Sequence, residues 1–468
     1  MSSIEIINRK LDACREELLG VSQEIWSQPE LSMEESRARD LQQEYMVRKG
    51  FKVEGVPGME TAFVATYGTG KVKVGFLGEY DALPGLSQAV STSREPLVEG
   101  GAGHGCGHNL IGTGALAAAL GLQALVDEEG LDCTVRYYGC PGEEMFFGKV
   151  EMIRKGVFED LDFCLTWHPF DVNKVWTAPS LANMELSFRF SGIPSHAADS
   201  PHMGRSALDA VELMHVGVNY LREHVPDQVR IHYVITEGGQ RANIVPAFAA
   251  SKFNVRAPGN RMLLEIVRRV LKVARGAALM TETEMDYSIN TGLYDFKSNR
   301  TLGRLLQENC ILFPLPGLEE EEAFFREIGE TVTRQGKEDH LAKYHVDGFE
   351  PGEKPVMDRF DPSDWSRGLF SASTDVGDVS WVKPTGQLMG AAWALGVEAH
   401  TWQATACSGT RYAARLAVVI GKILAKTAGD AVKDPGQLAR VKEDFAKDTE
   451  GFRYRRMDSY RDVVEAEG

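Results

Sequence analysis

The strongest constraint on this chain is an alternation of short apolar strands with helices between residues 61 and 175. Val72, Val74 and Phe76 alternate into one strand, and residues 110–126 form a helix rich in Ala and Gly. Residues 134–138 make a second strand, a helix follows near 145–155, and residues 163–167 make a third strand. Strands separated by helices predict a mainly parallel sheet covered on both faces. After Pro179 the rhythm changes. Strands at 181–190, 230–236, 249–256 and 284–289 enclose helices at 205–221 and 262–277, a βαββαβ order typical of a ferredoxin-like unit. The α/β rhythm resumes near Asp375, continues through 388–393 and closes in an apolar helix at 409–426. The predicted fold class is therefore α/β, with a discontinuous catalytic domain (1–180 and 296–468) closing around an inserted unit (181–295). A length of 468 residues accommodates more than one core. Residues 315–371 read as loop-rich, with the acidic run 319–322 predicted as a solvated helical face.

Composition narrows the function classes. With 51 basic and 67 acidic residues the net charge is −16, which disfavours nucleic acid as a general partner. Seven scattered cysteines, an odd number, predict reduced thiols and a cytoplasmic setting rather than a disulfide framework. The first residues mix charges into a helical pattern of Ile7, Leu11, Cys14 and Leu18, unlike a signal peptide. The reading at this level is a protein with no membrane span.

The candidate chemistry lies in loops that should follow strands, where ligands collect in open α/β sheets. GAGHGCGHN supplies Cys106 and His108, a soft thiolate and an imidazole that can address one centre. CPGEE supplies adjacent Glu143 and Glu144. Burying both requires cations or a division of labour, one carboxylate ligating metal while the other takes a proton from the attacking water. Two exposed glutamates at a helix N-terminus would look the same. His168 and His400 fall at predicted strand exits, where a core or loop histidine is the alternative. Asp81, in GEYDALP, is suited to orient a ligating imidazole, or simply to cap its own turn. Long separations between these residues fit a catalytic centre better than a closed structural zinc site, and the mixed donors suit Zn²⁺ or Mn²⁺, with room for two ions. In the inserted unit, Asn254 and Arg256 share one face of a strand opposite Phe253 and Val255, so Arg256 is placed to pair with a carboxylate.

GHGCGHN, CPGEE, the His after the next strand, SHAADSPHMGRSALDAV, ANIVP, NVRAP, STDVGDVSW and HTWQ together resemble the M20 metallopeptidases, in their amidohydrolase branch. The resemblance runs along nearly the whole chain. It implies Cys106, His108, Glu144, His168 and His400 as ligands of two divalent ions, with Cys106 bridging. It also implies Glu143 as the general base and Asp81 as support for a ligating His. His196 would be donated across a dimer interface, Asn243 and Arg256 would contact substrate or oxyanion, and the inserted unit would be a lid or dimerisation domain. Other branches carry His-x-Asp where this chain has Glu79-Tyr80-Asp81. The implied activity is metal-dependent hydrolysis of a linear amide in an N-acyl amino acid, an aromatic-acyl glutamate such as p-aminobenzoyl-glutamate. The alternatives are other acyl-amino acids or dipeptides, hydrolytic deamination of an aromatic amine, and a non-catalytic, metal-bound chain serving a partner. The implied assembly is a homodimer, with a heteromer of related chains as the other form.

Overall fold

The computed structural model describes residues 1–468 except 146, 364, 366, 367 and 466–468. The strands are β1 (Lys52–Val56), β2 (Met59–Tyr67), β3 (Val72–Glu79), β4 (Cys133–Cys140), β5 (Phe163–Phe170), β6 (Lys174–Val175), β7 (Ala182–Ser191), β8 (Arg230–Glu237), β9 (Phe248–Ala257), β10 (Glu284–Leu293) and β11 (Thr385–Ala391). The chain divides into two compact units. The first comprises Met1–Ala178, Lys297–Gly368 and Val379–Phe452, and the second Pro179–Phe296, Leu369–Asp378 and Arg453–Gly468.

The first unit is built on a seven-stranded sheet in the order β1-β2-β4-β3-β5-β11-β6. Its centre, β4-β3-β5-β11, is parallel, as the alternation of strands and helices predicts. Both edges are antiparallel, because the β1–β2 hairpin extends one side through β2–β4 and the two-residue β6 folds back on β11. The helix His108–Glu129 lies buried against this sheet. It is long and apolar enough to cross a membrane, contrary to the sequence expectation, yet nearly all of it is covered by protein, as befits a core helix. Its small residues serve close packing on the helix Arg411–Lys433. A Cβ on Gly421 would lie 2.4 Å from the Ala117 Cβ, and one on Gly121 would lie 2.6 Å from the Ala425 Cβ. The N-terminal helix Ser3–Ser27 buries Ile7, Leu11, Cys14 and Leu18 as its periodicity predicts.

The region 315–371 departs from the loop-rich expectation by forming the helices Glu322–Glu330 and Arg334–Lys343. Nor is the acidic run merely a solvated face. Glu321 accepts the backbone N–H groups of Arg411 and Tyr412, capping the helix Arg411–Lys433, where negative charge complements the helix dipole.

The second unit carries a four-stranded antiparallel sheet, β10-β7-β9-β8, with the helices Ala207–Leu221 and Asn260–Thr281 between its strands. This is the ferredoxin-like order. Phe253 and Val255 are buried on one face of β9, and Asn254 and Arg256 lie on the other.

Within this unit Asp378 is fully buried. Its oxygens accept from the Tyr294 backbone N–H at 3.1 Å and the Tyr454 hydroxyl at 2.7 Å. Burial, reinforced by the nearby Asp375 and Asp295 carboxylates, pushes its carboxyl up to about 8. The folded value thus exceeds the unfolded one of about 4, so the contribution to stability is fully present below pH ~4 and is lost as pH rises through the folded value. Asp378→Asn removes this titration. The unfolding free energy of the variant relative to the parent should rise between pH 5 and 8.5, by on the order of 1 kcal/mol or more, in urea titrations at both pH values. A difference independent of pH would contradict the assignment.

Candidate metal centre

Parallel β3, β4 and β5 end on the same side of the first unit, and each delivers part of the centre. Asp81 follows the end of β3, buried. Glu143 and Glu144 lie in the turn after β4. His168 lies within β5, two residues before its end rather than just beyond it. Cys106 and His108 flank Gly107, which has φ +71° and starts the helix His108–Glu129. Only glycine suits that position, because a Cβ there would also lie 2.6 Å from Pro169 Cγ. His400 follows the loop after β11, and its backbone N–H donates to the Gly105 carbonyl at 2.9 Å.

These residues converge. Ligand atoms of Cys106, His108 and His168 lie within 4.8 Å of one another, as do those of Cys106, Glu144 and His400. The Cys106 sulfur belongs to both sets. A third set, Glu79, His108 and Glu143, adjoins them. Hydrogen bonds fix which nitrogens face inward. His108 Nδ1 is 2.8 Å from Asp81 Oδ1 and donates to it, leaving Nε2 for the centre. His168 Nδ1 donates to the Pro169 carbonyl at 2.8 Å, leaving Nε2 3.4 Å from Cys106 Sγ. His400 Nε2 lies 3.4 Å from Glu144 Oε2, and Glu143 Oε2 lies 3.9 Å from His108 Nε2.

The charges fit a divalent cation. Burial alone would raise the Cys106 thiol, but the imidazoles of His168 and His108 outweigh it and hold the thiol well below its ordinary value. Glu144 is pushed up to about 7 by burial and by the Cys106 thiolate. His400 is pushed up to about 11 by its contacts with Cys106 and Glu144. All three shifts mark a thiolate and carboxylates crowded together with too little positive charge. Meanwhile His108 Nε2 and Glu144 Oε1 are buried without a hydrogen-bond partner, a costly state unless a ligand engages them. Soft sulfur, imidazole nitrogen and carboxylate oxygen together form a donor set for transition-metal dications.

Three supporting residues are not evident from the sequence. Glu79 lies in the GEYDALP segment beside Asp81, yet nothing local marks its role. Its Oε1 pairs with Lys149 Nζ at 2.6 Å, both side chains buried, and its Oε2 lies 3.5 Å from His108 Nε2. A lysine in helical text carries no signal that it will be buried. Glu35, also buried, accepts the backbone N–H groups of Met33 and Gly142, bracing the turn that bears Glu143. Burial and the Asp81 charge push its carboxyl up to about 7.

His196, Asn243 and Arg256 belong to the second unit. His196 and Asn243 are exposed on adjoining segments, with Ala197 N–H donating to the Asn243 carbonyl. His196 Nδ1 accepts the N–H groups of Ala198 and Asp199, so its proton sits on Nε2. The half-buried Arg256 donates from Nε to Asn254 Oδ1 at 3.0 Å, and burial lowers its pKa.

A buried base beside thiolate, imidazole and carboxylate donors at the ends of parallel strands defines a metal-dependent hydrolase. Residues 75–406 match the model for Peptidase family M20/M25/M40, and the chain belongs to that family. It is a metal-dependent amidohydrolase. The chain is 38% identical over 456 residues to one of the two kinds of chain named for the p-aminobenzoyl-glutamate hydrolase of Escherichia coli (strain K12), covering 95% of each chain. It is 29% identical to Xaa-Arg dipeptidase of Mus musculus, over 95% of this chain and 93% of that one. Among solved structures, a dinuclear metal-binding peptidase of family M20 from Bacillus subtilis superposes with a TM-score of 0.56 at 16% identity, covering 87% of this chain and 99% of that one. An aminobenzoyl-glutamate utilization protein from Klebsiella pneumoniae gives 0.59 at 16% identity, covering 91% and 98%.

The Glu79–Lys149 pair yields a stability prediction. Lys149→Met should cost roughly 3–5 kcal/mol, because it strands a buried carboxylate. Adding Glu79→Gln should recover most of that loss. Urea unfolding of the metal-free variants measures both, and an unaltered midpoint for Lys149→Met would contradict a buried charge pair.

Proposed function

We propose that this enzyme hydrolyses the amide of an aromatic-acyl glutamate, p-aminobenzoyl-glutamate first among candidates. The observation that carries the reading is the Cys106 sulfur shared by two donor sets, with the buried Glu143 beside them. Likeness over 95% of the chain to the p-aminobenzoyl-glutamate hydrolase of Escherichia coli supports the substrate class.

Cys106, His108, Glu144, His168 and His400 would hold two divalent ions, Mn²⁺ or Zn²⁺, with Cys106 between them. When bound, such ions polarise the amide carbonyl and make the attacking water more acidic. Glu143 takes the proton of that water as its oxygen bonds the carbonyl carbon, then passes the proton to the leaving amine nitrogen as the C–N bond breaks. Asp81 holds His108 in the tautomer that presents Nε2. His196, through its Nε2 proton, and the Asn243 amide donate to the oxyanion. The Arg256 guanidinium pairs with the free carboxylate of the glutamate moiety.

The inserted unit, assigned as 181–295 between catalytic parts 1–180 and 296–468, acts in this reading as a lid and dimerisation domain. Its β8 is an edge strand, with Val234 and Ile235 exposed and Tyr220 exposed on the helix Ala207–Leu221. A second copy adding its own edge strand would satisfy that backbone. We assign a homodimer, with His196 donated across it. A heteromer is the other form, since two different relatives carry names that make them distinct subunits of one hydrolase. Seven buried cysteines free of disulfides support a reducing, cytoplasmic location.

Glu143→Gln should retain metal and lose roughly 10²–10⁴-fold in kcat. Metal content and release of p-aminobenzoate check this, and near-normal turnover would overturn the base assignment. The same release assay run on benzoyl and indole-acetyl amino acids, dipeptides and aromatic amines ranks the substrate classes. A preference for dipeptides would favour the activity named for the Xaa-Arg dipeptidase.

A further inference from the structure

We propose that His340 is a positioning residue for His400, and that through it the helix Arg334–Lys343 contributes to the metal centre. The proposal rests on the reading of His400 as a metal ligand.

His400 adopts φ +64°, the left-handed region that a residue with a Cβ rarely enters. Such a conformation persists only where its surroundings over-determine it. The His400 side chain is 54% exposed, so its own packing does not supply that constraint. Backbone and flanking contacts must. On one side the His400 N–H is held by the Gly105 carbonyl, next to Cys106. On the other, Gly396 N–H donates to Asp171 Oδ2 at 2.8 Å. His340 joins these points. Its Nδ1 lies 2.9 Å from Asp171 Oδ2 and its Nε2 2.9 Å from Glu398 Oε1. Asp171 stands three residues after His168 and Glu398 two before His400. One rigid ring thus ties the exit of β5, which carries one proposed ligand, to the turn that carries another. The Glu398 carbonyl also accepts from Thr401 Oγ1, which caps the helix Trp402–Ser408. The ligand is therefore bracketed between a clasp and a helix cap.

The clasp has a fixed base. Lys174 Nζ, buried, donates to the Tyr344 and His345 carbonyls and pairs with Asp361, each at 3.0 Å. The Tyr344 ring packs on Phe170, which packs on His168 with centroids 4.7 Å apart. The helix Arg334–Lys343 is thereby docked where the β5 exit and the His400 turn meet. A segment serving only as a surface covering has no need of a buried imidazole whose two nitrogens face carboxylates on different elements.

The test uses the Zn²⁺-loaded full chain, with release followed by a chromogenic chelator and residual metal by atomic emission. His340→Ala and Glu398→Ala each sever the clasp, the second at an exposed side chain that leaves no cavity. Both should release Zn²⁺ at least tenfold faster than the parent, and the double variant should be no faster than His340→Ala, since both act through one contact. Lys174→Met/Asp361→Asn loosens the base without touching the clasp. It should lower the thermal midpoint and keep parental release. His400→Ala is the reference. If it retains metal as the parent does, the ligand assignment itself has failed. If it sheds metal while His340→Ala and Glu398→Ala do not, or if Lys174→Met/Asp361→Asn sheds metal equally, the positioning role is overturned.

Discussion

Asp81 is the residue on which the centre depends. A fully buried carboxylate must be matched by donors or lose its charge, and Asp81 is matched three times. It accepts from His108 Nδ1, from Ser32 Oγ at 2.7 Å and from the Glu144 backbone N–H at 3.0 Å. Burial alone would raise its pKa, but these partners hold it well below the usual carboxylate range. Each donor comes from a different piece of the site: the start of the core helix, the turn after β4, and the loop before the second helix. One ionised oxygen pair thus fixes a ligand's tautomer and the backbone beneath Glu144.

A second layer carries the remaining charge. Glu79 approaches His108 from the end of β3 and is neutralised by Lys149, while Glu35 braces the turn before Glu143. So many carboxylates within a few ångströms would repel one another in a dry interior. Lys149, three imidazoles and the dications the donors are built for make the arrangement tenable. A large small-residue core supports it, because the close approach of the helices His108–Glu129 and Arg411–Lys433 gives the first a rigid seat.

Much of the site is legible in the sequence because its chemistry is local. Cys106 with His108, and Glu143 with Glu144, are near neighbours in the chain, and the glutamates directly follow an apolar run that reads as a strand. Asp81 is legible for the same reason. The ferredoxin-like unit is legible because its helices and strands carry strong periodicity, as in the alternating burial of β9. The β1–β2 hairpin is not, since its pairing with β4 comes from distant residues. The helices within 315–371 escape a reading of the sequence because their apolar positions are few and their docking depends on Lys174 and Phe170, far away in the chain.

The sequence by itself determined the donor types, the parallel core and the small residues that let two helices touch, since these depend on side-chain chemistry and short-range periodicity. Only the tertiary structure decided which nitrogen each histidine presents, that Cys106 is common to two donor sets, and that Lys149 is buried against Glu79. The left-handed backbone of His400 and its clasp through His340 belong to the same class. Each is a balance of desolvation against a partner supplied by a remote segment, and no local pattern encodes the distance at which that partner will stand.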